Sequence, residues 1–391
     1  MMLKTLFIHR DLPFHGGVPR MILNLAKSCD KSRMELNVAS FVAPTQEMRM
    51  AFEELGITPH ELGDRGYIRP ARRLRRLVHR DNIDVIVANS FKSYLVARIA
   101  CVGVRCVVIP WVHSIPLVLD GAVRRRLFHW LSRRDTIVFS SNAIKNAHQS
   151  SVHGGKSSVV YYGVDDPYAG ESSRPYDRSM RRELGVPDEA LVLCYIAEFI
   201  EWKDHATLLA AFDRLEKRLN AHLLLIGTGQ RLDEMKKLAL SLKCGTSVHF
   251  LGPRMDARRI LGIIDLYVHP SRGEGFGLAV VEAMLAGRPV VASRDGAFIE
   301  YIDDGGNGIL FKAGDDLDLA AQITALADDR MRALRIGRQA RAFALQNFSS
   351  RTFAASTCKT IENVAASIGL RRAPFDNCVT GQKAVESEKV A

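Results

Sequence analysis

The sequence contains no hydrophobic run long enough to cross a membrane and no cysteine motif. Its apolar stretches stay below the roughly 18 residues that a spanning helix needs, and the apolar run at its start is too short for a signal peptide. The seven cysteines are scattered and odd in number, without a Cys-x-x-Cys pair that would suggest zinc or a redox centre. We therefore expect a cytoplasmic protein with reduced, mostly buried cysteines.

The chain is long and apolar enough for two domains. It has 391 residues, of which 47% are hydrophobic, so each domain can build its own core. The polar segment 165–179 contains two prolines and predicts a linker between domains at residues 1–165 and 180–347. Residues 380–391 are polar and lack periodicity, which predicts a flexible tail.

Short apolar runs alternate with helical stretches in both halves, which is the pattern of doubly wound α/β domains. In the first half they predict strands near Thr5–Leu12, Leu36–Val42, Val85–Ala88, Cys106–Val112, Thr136–Ser140 and Val159–Tyr162. In the second half they predict strands at Leu191–Ile196, Ala221–Ile226, Val248–Leu251, Leu266–Pro270, Pro289–Ala292 and Gly308–Phe311. The remainder, about residues 317–368, is predicted to be helical.

The segment from Ser271 to Met284 places two glutamates eight residues apart beside a glycine turn. The apolar run before it, Ile263–Pro270, predicts a buried strand, and Leu278–Ala286 predicts a helix ended by Gly287. In such a strand–loop–helix unit the loop lies at the carboxyl edge of the sheet. Free N–H groups at the helix start then form a site for a phosphate.

The glycines and glutamates of this loop suit a sugar nucleotide. Gly275 and Gly277 let the backbone approach an anion closely. Glu274 can accept hydrogen bonds from sugar hydroxyls, and Glu282, about a turn into the helix, can hold the vicinal hydroxyls of a ribose. An ordinary loop with solvated acidic side chains is the alternative that the pattern leaves open.

The stretch from Glu274-Gly-Phe-Gly-Leu to Glu282-Ala-Met resembles the paired-glutamate signature of the family 4 retaining glycosyltransferases. Further segments extend the resemblance over roughly residues 3–350: Gly16-Gly17-Val18, Leu23–Ala26, Gly163-Val164-Asp165, Lys203–Leu209, Leu225–Gly229, Phe250–Gly252, Gly296, Glu300 and Asn307-Gly308. The resemblance implies an α/β GT-B fold, in which two Rossmann-like, doubly wound domains face each other across a cleft. A final helix at about residues 348–368 would pack back on the first domain.

The resemblance also implies roles for individual residues. The first domain would bind the acceptor, and the second would bind a nucleotide diphosphate sugar. The implied catalytic residues are His113, Lys203 and Glu274. The implied donor-binding residues are Gly16, Gly17, Lys203, Gly252, Arg254, Glu274, Gly275, Phe276, Gly277, Leu278 and Glu282. Lys203 and the amides of residues 275–278 would stabilise the leaving diphosphate, Glu282 would fix the ribose, and residues 252–254 would hold the base.

His113 follows a predicted strand and is therefore expected at the carboxyl edge of the first sheet, facing the cleft. The family often has a histidine there, close to the donor sugar, where it can hydrogen-bond the transferred group. A purely structural role is the alternative. No Asp-x-Asp metal motif appears where a GT-A glycosyltransferase would hold Mn²⁺, and the resemblance implies a reaction without a metal ion or another cofactor.

The implied activity is retaining transfer of a sugar to an acceptor hydroxyl, in the assembly of cell-surface polysaccharide, lipopolysaccharide or glycolipid. A soluble disaccharide synthase is one alternative. A non-catalytic sugar-nucleotide-binding protein is another, because Glu198 stands where the family usually has an arginine, five residues before Lys203. A nicotinamide oxidoreductase is disfavoured, because the turn at residues 11–18 lacks the G-x-G-x-x-G pattern.

The net positive charge of the chain belongs entirely to its first half. Residues 1–165 contain 24 Lys and Arg against 13 Asp and Glu, whereas the rest contains 30 of each. Two basic amphipathic segments, 68–80 and 121–134, concentrate the charge, and the second also carries Phe128 and Trp130. They predict attachment to an anionic membrane surface, at the inner face of the cell membrane. The alternative is that their apolar stripes pack on the sheet. No nucleic-acid motif accompanies them, so we do not expect nucleic acid as a partner.

Overall fold

A computed structural model of the protein describes residues 2–14, 16–114, 127–128, 130–148, 156–166, 168, 178–215 and 219–370. Within these ranges the chain forms two parallel β-sheets, one of seven strands and one of six. The predicted linker 165–179, the basic residues 121–126 and the predicted tail 380–391 lie wholly or largely outside the described residues. The predicted domain boundaries therefore stay predictions.

The first half of the chain supplies the seven-stranded sheet. Its strands are β1 (Leu3–His9), β2 (Met34–Ser40), β3 (His60–Glu61), β4 (Val85–Ala88), β5 (Val107–Val112), β6 (Ile137–Phe139) and β7 (Ser157–Val159). Its helices are α1 (Gly17–Ser28), α2 (Gln46–Glu53), α3 (Ile68–Asp81), α4 (Phe91–Ala100) and α5 (Asn142–Ala147). Residues 127–128 and 130–132 are also helical.

The second half supplies the six-stranded sheet. Its strands are β8 (Leu191–Ile196), β9 (Ala221–Ile226), β10 (Val248–Gly252), β11 (Leu266–His269), β12 (Val290–Ser293) and β13 (Ile309–Phe311). Its helices are α6 (Arg178–Glu183), α7 (His205–Leu215), α8 (Leu232–Ser241), α9 (Ala257–Leu261), α10 (Leu278–Leu285), α11 (Phe298–Tyr301), α12 (Asp316–Asp328), α13 (Arg330–Asn347) and α14 (Ser350–Ser367). Single 3₁₀ turns are formed by Glu201–Lys203 and Gly245–Ser247.

Both sheets have the strand order of a doubly wound fold. The first runs β3-β2-β1-β4-β5-β6-β7 and the second β10-β9-β8-β11-β12-β13. Strands β4 and β12 are buried along their whole length, as expected for parallel strands covered on both faces. The order reverses between β1 and β4 and again between β8 and β11, and the loops that leave these strands form the crevices in which such folds bind ligands. The predicted pair of Rossmann-like domains is confirmed.

The structure departs from the sequence prediction at the last strand of the first domain. We predicted a strand at 159–162, but β7 ends at Val159. Tyr161 and Tyr162 leave the sheet and turn towards the second domain, where their rings pack against Phe276. Their apolar character therefore reflects the contact between domains. The two-residue strand β3 was also missed, because a pair of polar residues carries no periodic signal.

The final helix returns to the first domain. Arg33, shortly after α1, donates two hydrogen bonds of 3.1 and 2.7 Å to the carboxylate of Glu362 in α14. Just before α14, the N–H of Val164 donates to the carbonyl oxygen of Phe348 at 2.9 Å. A side chain at Gly163 would collide with the backbone of Ser349 at this crossing. Helix α14 and the residues just before it thus connect the two domains.

The apolar stripes of the basic segments pack inside the first domain. In α3, Leu74, Leu77 and Val78 are buried, and exposed arginines cover the opposite face. Phe128 is buried against Tyr94, with ring centroids 5.3 Å apart, and is therefore not available to a membrane. Trp130, by contrast, is 60% exposed. None of the helices in the described ranges combines the length and the apolar character that crossing a bilayer requires.

Candidate active site

The loop between β11 and α10 forms the centre of the candidate site. Gly277, the residue before α10, has φ +82°, and a Cβ there would lie 2.7 Å from the ring of Phe298. Glycine is therefore needed both for its backbone conformation and for space. Among the described residues no side chain caps the start of α10, so the N–H groups of Leu278 and Ala279 can receive an anion, whereas Val280 N–H donates to the carbonyl oxygen of Gly277 at 2.9 Å. The phosphate-binding role of this loop stays a prediction.

Glu274 lies in a buried network with Lys203 and His269. The Lys203 ammonium donates to the Glu274 carboxylate, and His269 Nε2 is 3.1 Å from the same carboxylate. Burial alone would raise the pKa of Glu274, but the charge of Lys203 and the hydrogen bond from His269 outweigh it and lower this pKa below its usual range. Burial lowers the pKa of His269, so a neutral ring donates this bond. Glu274 is therefore an ionised acceptor at neutral pH.

The backbone around Lys203 is fixed by short-range contacts. Lys203 ends a 3₁₀ turn, and Asp204 follows in the left-handed conformation with φ 47°. The Tyr195 hydroxyl donates to the carbonyl oxygen of Lys203 at 2.8 Å, and it also lies 2.9 Å from Ser271 Oγ. These contacts join the loop after β8 to the loop after β11. Lys203 and Glu274 are thereby brought together at the β8/β11 switch point.

Glu282 lies one turn into α10 and is only about 5% exposed. Its Oε1 accepts a hydrogen bond of 2.5 Å from Arg20 of α1, which belongs to the other domain. Arg258 of α9 approaches the same oxygen with two nitrogens, each at 3.3 Å. The glutamate predicted to bind a ribose thus contacts one cation from across the cleft and one from its own domain.

His113 lies just after β5, at the edge that faces the second domain. Its Nε2–H donates to Asn89 Oδ1 at 2.8 Å, and its Nδ1 lies within hydrogen-bond distance of the hydroxyls of Tyr162 and Ser140. Burial lowers the pKa of His113 well below its usual range. The ring is therefore neutral, and both of its nitrogens are engaged by protein groups. To contact a transferred sugar as predicted, the His113 ring would have to give up one of these hydrogen bonds to a protein group.

The two domains meet around the loop between β11 and α10, residues 270–277, which we call the donor loop after its predicted role. A Cβ on Gly275 would lie 2.5 Å from the carbonyl oxygen of His113, so only glycine permits this approach. The ring of Phe276 is 2% exposed and packs against Tyr162 and Phe348, with centroids 5.1 and 5.2 Å away. That ring is not available to a donor, and Phe276 can contribute to the predicted donor site only through its backbone.

Glu300 of α11 reaches from the second domain to the first. Its carboxylate accepts from the N–H of Asn142 at 2.9 Å and from the N–H of Ala143, which are the first residues of α5. It also accepts from the hydroxyl of Tyr161 at 2.6 Å. A carboxylate at a helix start satisfies open N–H groups and interacts favourably with the helix dipole. Glu300 thus fastens the two domains next to the donor loop.

The remaining predicted donor residues lie on both sides of the same gap. Gly16 precedes α1 and Gly17 begins it, and Gly17 faces Leu278 at the start of α10. Gly252 ends β10, and its carbonyl oxygen accepts from Gly227 N–H at 2.9 Å. Arg254 is paired with Asp256 through two hydrogen bonds of 2.7 Å. The starts of α1 and α10 therefore face each other across the cleft.

Glu198 is exposed and does not pair with Lys203, whose ammonium goes to Glu274. In the described ranges, no three His, Cys, Asp or Glu side chains form a group that could hold a metal ion. The sequence prediction does not include Arg20, Arg258 and His269, which contact the two glutamates. For Arg20 a signal was present, since a basic residue in the first turn of a predicted helix opposes the helix dipole.

The fold and this site define the two-domain GT-B class of α/β proteins. A crystal structure of HepE from Anabaena in complex with UDP and glucose has a TM-score of 0.80 to this chain, with 25% identity, and the match covers 92% of this chain and all of HepE. Residues 15–167 match the model of Glycosyltransferase Family 4, and residues 177–343 match the model of Glycosyl transferases group 1. The chain belongs to the glycosyltransferases of the family 4 type.

Curated relatives agree with this assignment. N-acetyl-alpha-D-glucosaminyl L-malate synthase of Bacillus anthracis is 24% identical over 293 residues, which is 72% of this chain and 74% of that relative. The lipopolysaccharide core biosynthesis glycosyltransferase LpsE of Rhizobium meliloti is 30% identical over 169 residues, which is 43% of this chain. That match spans about half of the length of LpsE, at 49%.

Proposed function

We propose that this protein transfers a sugar from a nucleotide diphosphate sugar to an acceptor hydroxyl with retention of the anomeric configuration. The observation that carries the proposal is the grouping of Lys203, Glu274 and the open start of α10 at the β8/β11 switch point. This grouping offers a cation and backbone donors to a diphosphate and an ionised acceptor to sugar hydroxyls. The HepE structure holds UDP and glucose, which supports a uridine nucleotide as the first donor to test.

The chemistry follows from where charge develops. The bond between the sugar C1 and the phosphate oxygen breaks, and its electron pair stays on the diphosphate. Lys203 and the amides at the start of α10 stabilise this charge, and they need no metal ion to do so. The acceptor oxygen bonds to C1 on the face that the diphosphate leaves, and its proton passes to the departing phosphate oxygen. Glu274 holds the sugar hydroxyls, and neutral His113 holds the sugar from the other domain.

We also propose that the acceptor belongs to cell-surface polysaccharide, lipopolysaccharide or glycolipid assembly, and that the enzyme works at an anionic membrane face. The name of LpsE supports the first point. Exposed arginines on α3 and the exposed ring of Trp130 support the second, since basic helices and interfacial aromatic residues favour such surfaces.

Nucleotide binding and slow donor hydrolysis across UDP-, GDP- and ADP-sugars test the donor. One nucleotide should bind saturably, and Lys203→Ala and Glu282→Ala should each weaken it by about tenfold or more, because each removes a charge-assisted hydrogen bond. Lys312→Ala, at an exposed site, serves as the control. An α-linked product from an α-linked donor, read by NMR, would support retention. Absence of binding to every nucleotide would favour a non-catalytic protein and overturn the proposal.

A further inference from the structure

Arg20 occupies a position that its own helix does not favour. It lies in the first turn of α1, at the positive end of the helix dipole, where a cation is destabilising. The turn contains no acidic residue, and within the described part of the chain no side chain caps the helix. The partner of Arg20 is instead Glu282, 262 residues away in the other domain. The anion that pairs with this charge therefore lies in the cleft.

Glu282 does not depend on Arg20 for neutralisation. Arg258, from the same domain as Glu282, contacts the same carboxylate through Nε and Nη2. If Arg20 turned away, Glu282 would keep a cationic partner, and the penalty of an unpaired buried carboxylate would not arise. The Arg20 side chain is itself 30% exposed, so it is free to reorient in the cleft. The pair between Arg20 and Glu282 can therefore open at low cost.

The other cations near the donor loop are already matched. Lys203 shares its charge with Glu274, and Arg254 is held by Asp256. Position 198, close to the end of β8, carries an exposed carboxylate. A bound diphosphate adds more negative charge than Lys203 can balance. Arg20 lies in the same turn of α1 as Gly17, and this turn faces the start of α10 across the cleft.

We infer that Arg20 is a catalytic residue that binds the donor diphosphate, an inference that rests on the proposed function. When the ribose hydroxyls take the Glu282 carboxylate, the guanidinium of Arg20 moves to the phosphate oxygens, which its planar fork can hold in bidentate fashion. The diphosphate is then held by Lys203 from the second domain and Arg20 from the first. Charge stabilisation is complete only when the cleft is closed on the donor.

Comparing UDP with uridine in the full-length protein tests this role. Arg20→Gln should weaken UDP binding by about tenfold to a hundredfold, because it removes a charge-assisted contact with phosphate. Uridine lacks phosphate, and its affinity should be unchanged or higher, since Arg20 no longer competes for Glu282. Arg20→Lys should retain part of the UDP affinity. Arg338→Gln, at an exposed site on α13, is the matched control and should bind UDP like the wild type.

The outcomes separate this inference from the proposed function. If the wild type binds no nucleotide diphosphate, the proposed function itself fails. If UDP binds and Lys203→Ala weakens it while Arg20→Gln does not, the role of Arg20 is refuted and the function stands. Equal losses for UDP and uridine in Arg20→Gln would mean that Arg20 only holds the domains together. Turnover of the donor should fall with UDP affinity in Arg20→Gln and recover in part in Arg20→Lys.

Discussion

At the scale of single residues, the two glutamates of the signature differ in their partners. Glu274 is paired within its own domain to Lys203 and His269, whereas Glu282 is paired to Arg20 across the cleft. The spacing in the sequence predicts that Glu274 lies in the loop before a helix and that Glu282 lies about one turn into it. It does not predict which cations reach them, because those cations come from elements that are distant in the sequence. The contacts of Glu274 are therefore formed within one domain, whereas the contact of Glu282 with Arg20 depends on how the two domains are placed.

Gly277 is the residue whose replacement should damage the donor loop most directly. A Cβ there meets Phe298 at 2.7 Å and the chain has φ +82°, so Gly277→Ala combines backbone strain with overpacking. We expect a loss of about 2–4 kcal/mol in the free energy of unfolding and weaker nucleotide binding. Chemical denaturation and nucleotide titration measure the two effects.

Gly103 provides the matched control for this substitution. It also has a positive φ of 70°, but nothing lies within 4 Å of a Cβ there. Gly103→Ala should therefore cost only the conformational strain, about 1 kcal/mol, and leave nucleotide binding intact. Equal losses in the two variants would show that the contact with Phe298 is not important.

At the scale of elements, helix α3 packs one face in the core of the first domain and exposes arginines on the other. One of them, Arg75, donates to the carbonyl oxygens of Ala100 and Val102 at 3.0 and 2.6 Å, so it is a structural residue. Arg72 and Arg76 are both exposed and can contact a negatively charged partner.

Vesicle sedimentation tests whether α3 binds an anionic membrane. Replacing Arg72 and Arg76 by glutamine should weaken binding to vesicles rich in phosphatidylserine by about 2 kcal/mol, roughly thirtyfold, at about 1 kcal/mol for each basic residue. Added salt should release the wild type as well. The same change at Arg335 and Arg338 of α13 is the control. Binding that survives both the substitution and salt would rule out an electrostatic attachment through α3.

At the scale of the whole molecule, the structure is a closed pair of domains. Glu300 caps α5 from the other domain, Phe276 is buried among aromatic rings of both halves, and α14 returns to α1. Phe276 belongs to the donor loop, and Ala297, just before the helix of Glu300, donates its N–H to the carbonyl oxygen of Glu274 at 2.9 Å. Opening of the cleft therefore has to break the Glu300 contacts and the pair between Arg20 and Glu282.

Glu300→Ala should shift the molecule towards an open arrangement. Loss of a helix-capping carboxylate costs about 1 kcal/mol, which changes the ratio of closed to open forms by roughly fivefold. Small-angle X-ray scattering should show a larger radius of gyration, and added UDP should reduce it. Glu234→Ala, which breaks an exposed pair with Arg231, is the control. An unchanged radius in Glu300→Ala would mean that the aromatic contacts alone keep the domains closed.

Local patterns in the sequence determined much of this protein. Apolar runs separated by helical stretches predicted most strands of both sheets, because a strand buried on both faces must be apolar throughout. The glycines and glutamates at 274–282 predicted the loop and the helix start, since these depend on backbone conformation over a few residues. The family resemblance added Lys203 and His113 to the site.

Only the tertiary structure decided which groups meet across the cleft. Arg20 and Glu282 are 262 residues apart, and Asn142 and Glu300 are 158 residues apart. Periodicity carries no information on such pairs, because they depend on how two separately folded domains are placed. For the same reason, Tyr161 and Tyr162 were taken for a strand when they are interface residues. The sequence determined each half of the site, and the docking of the domains determined how the halves combine.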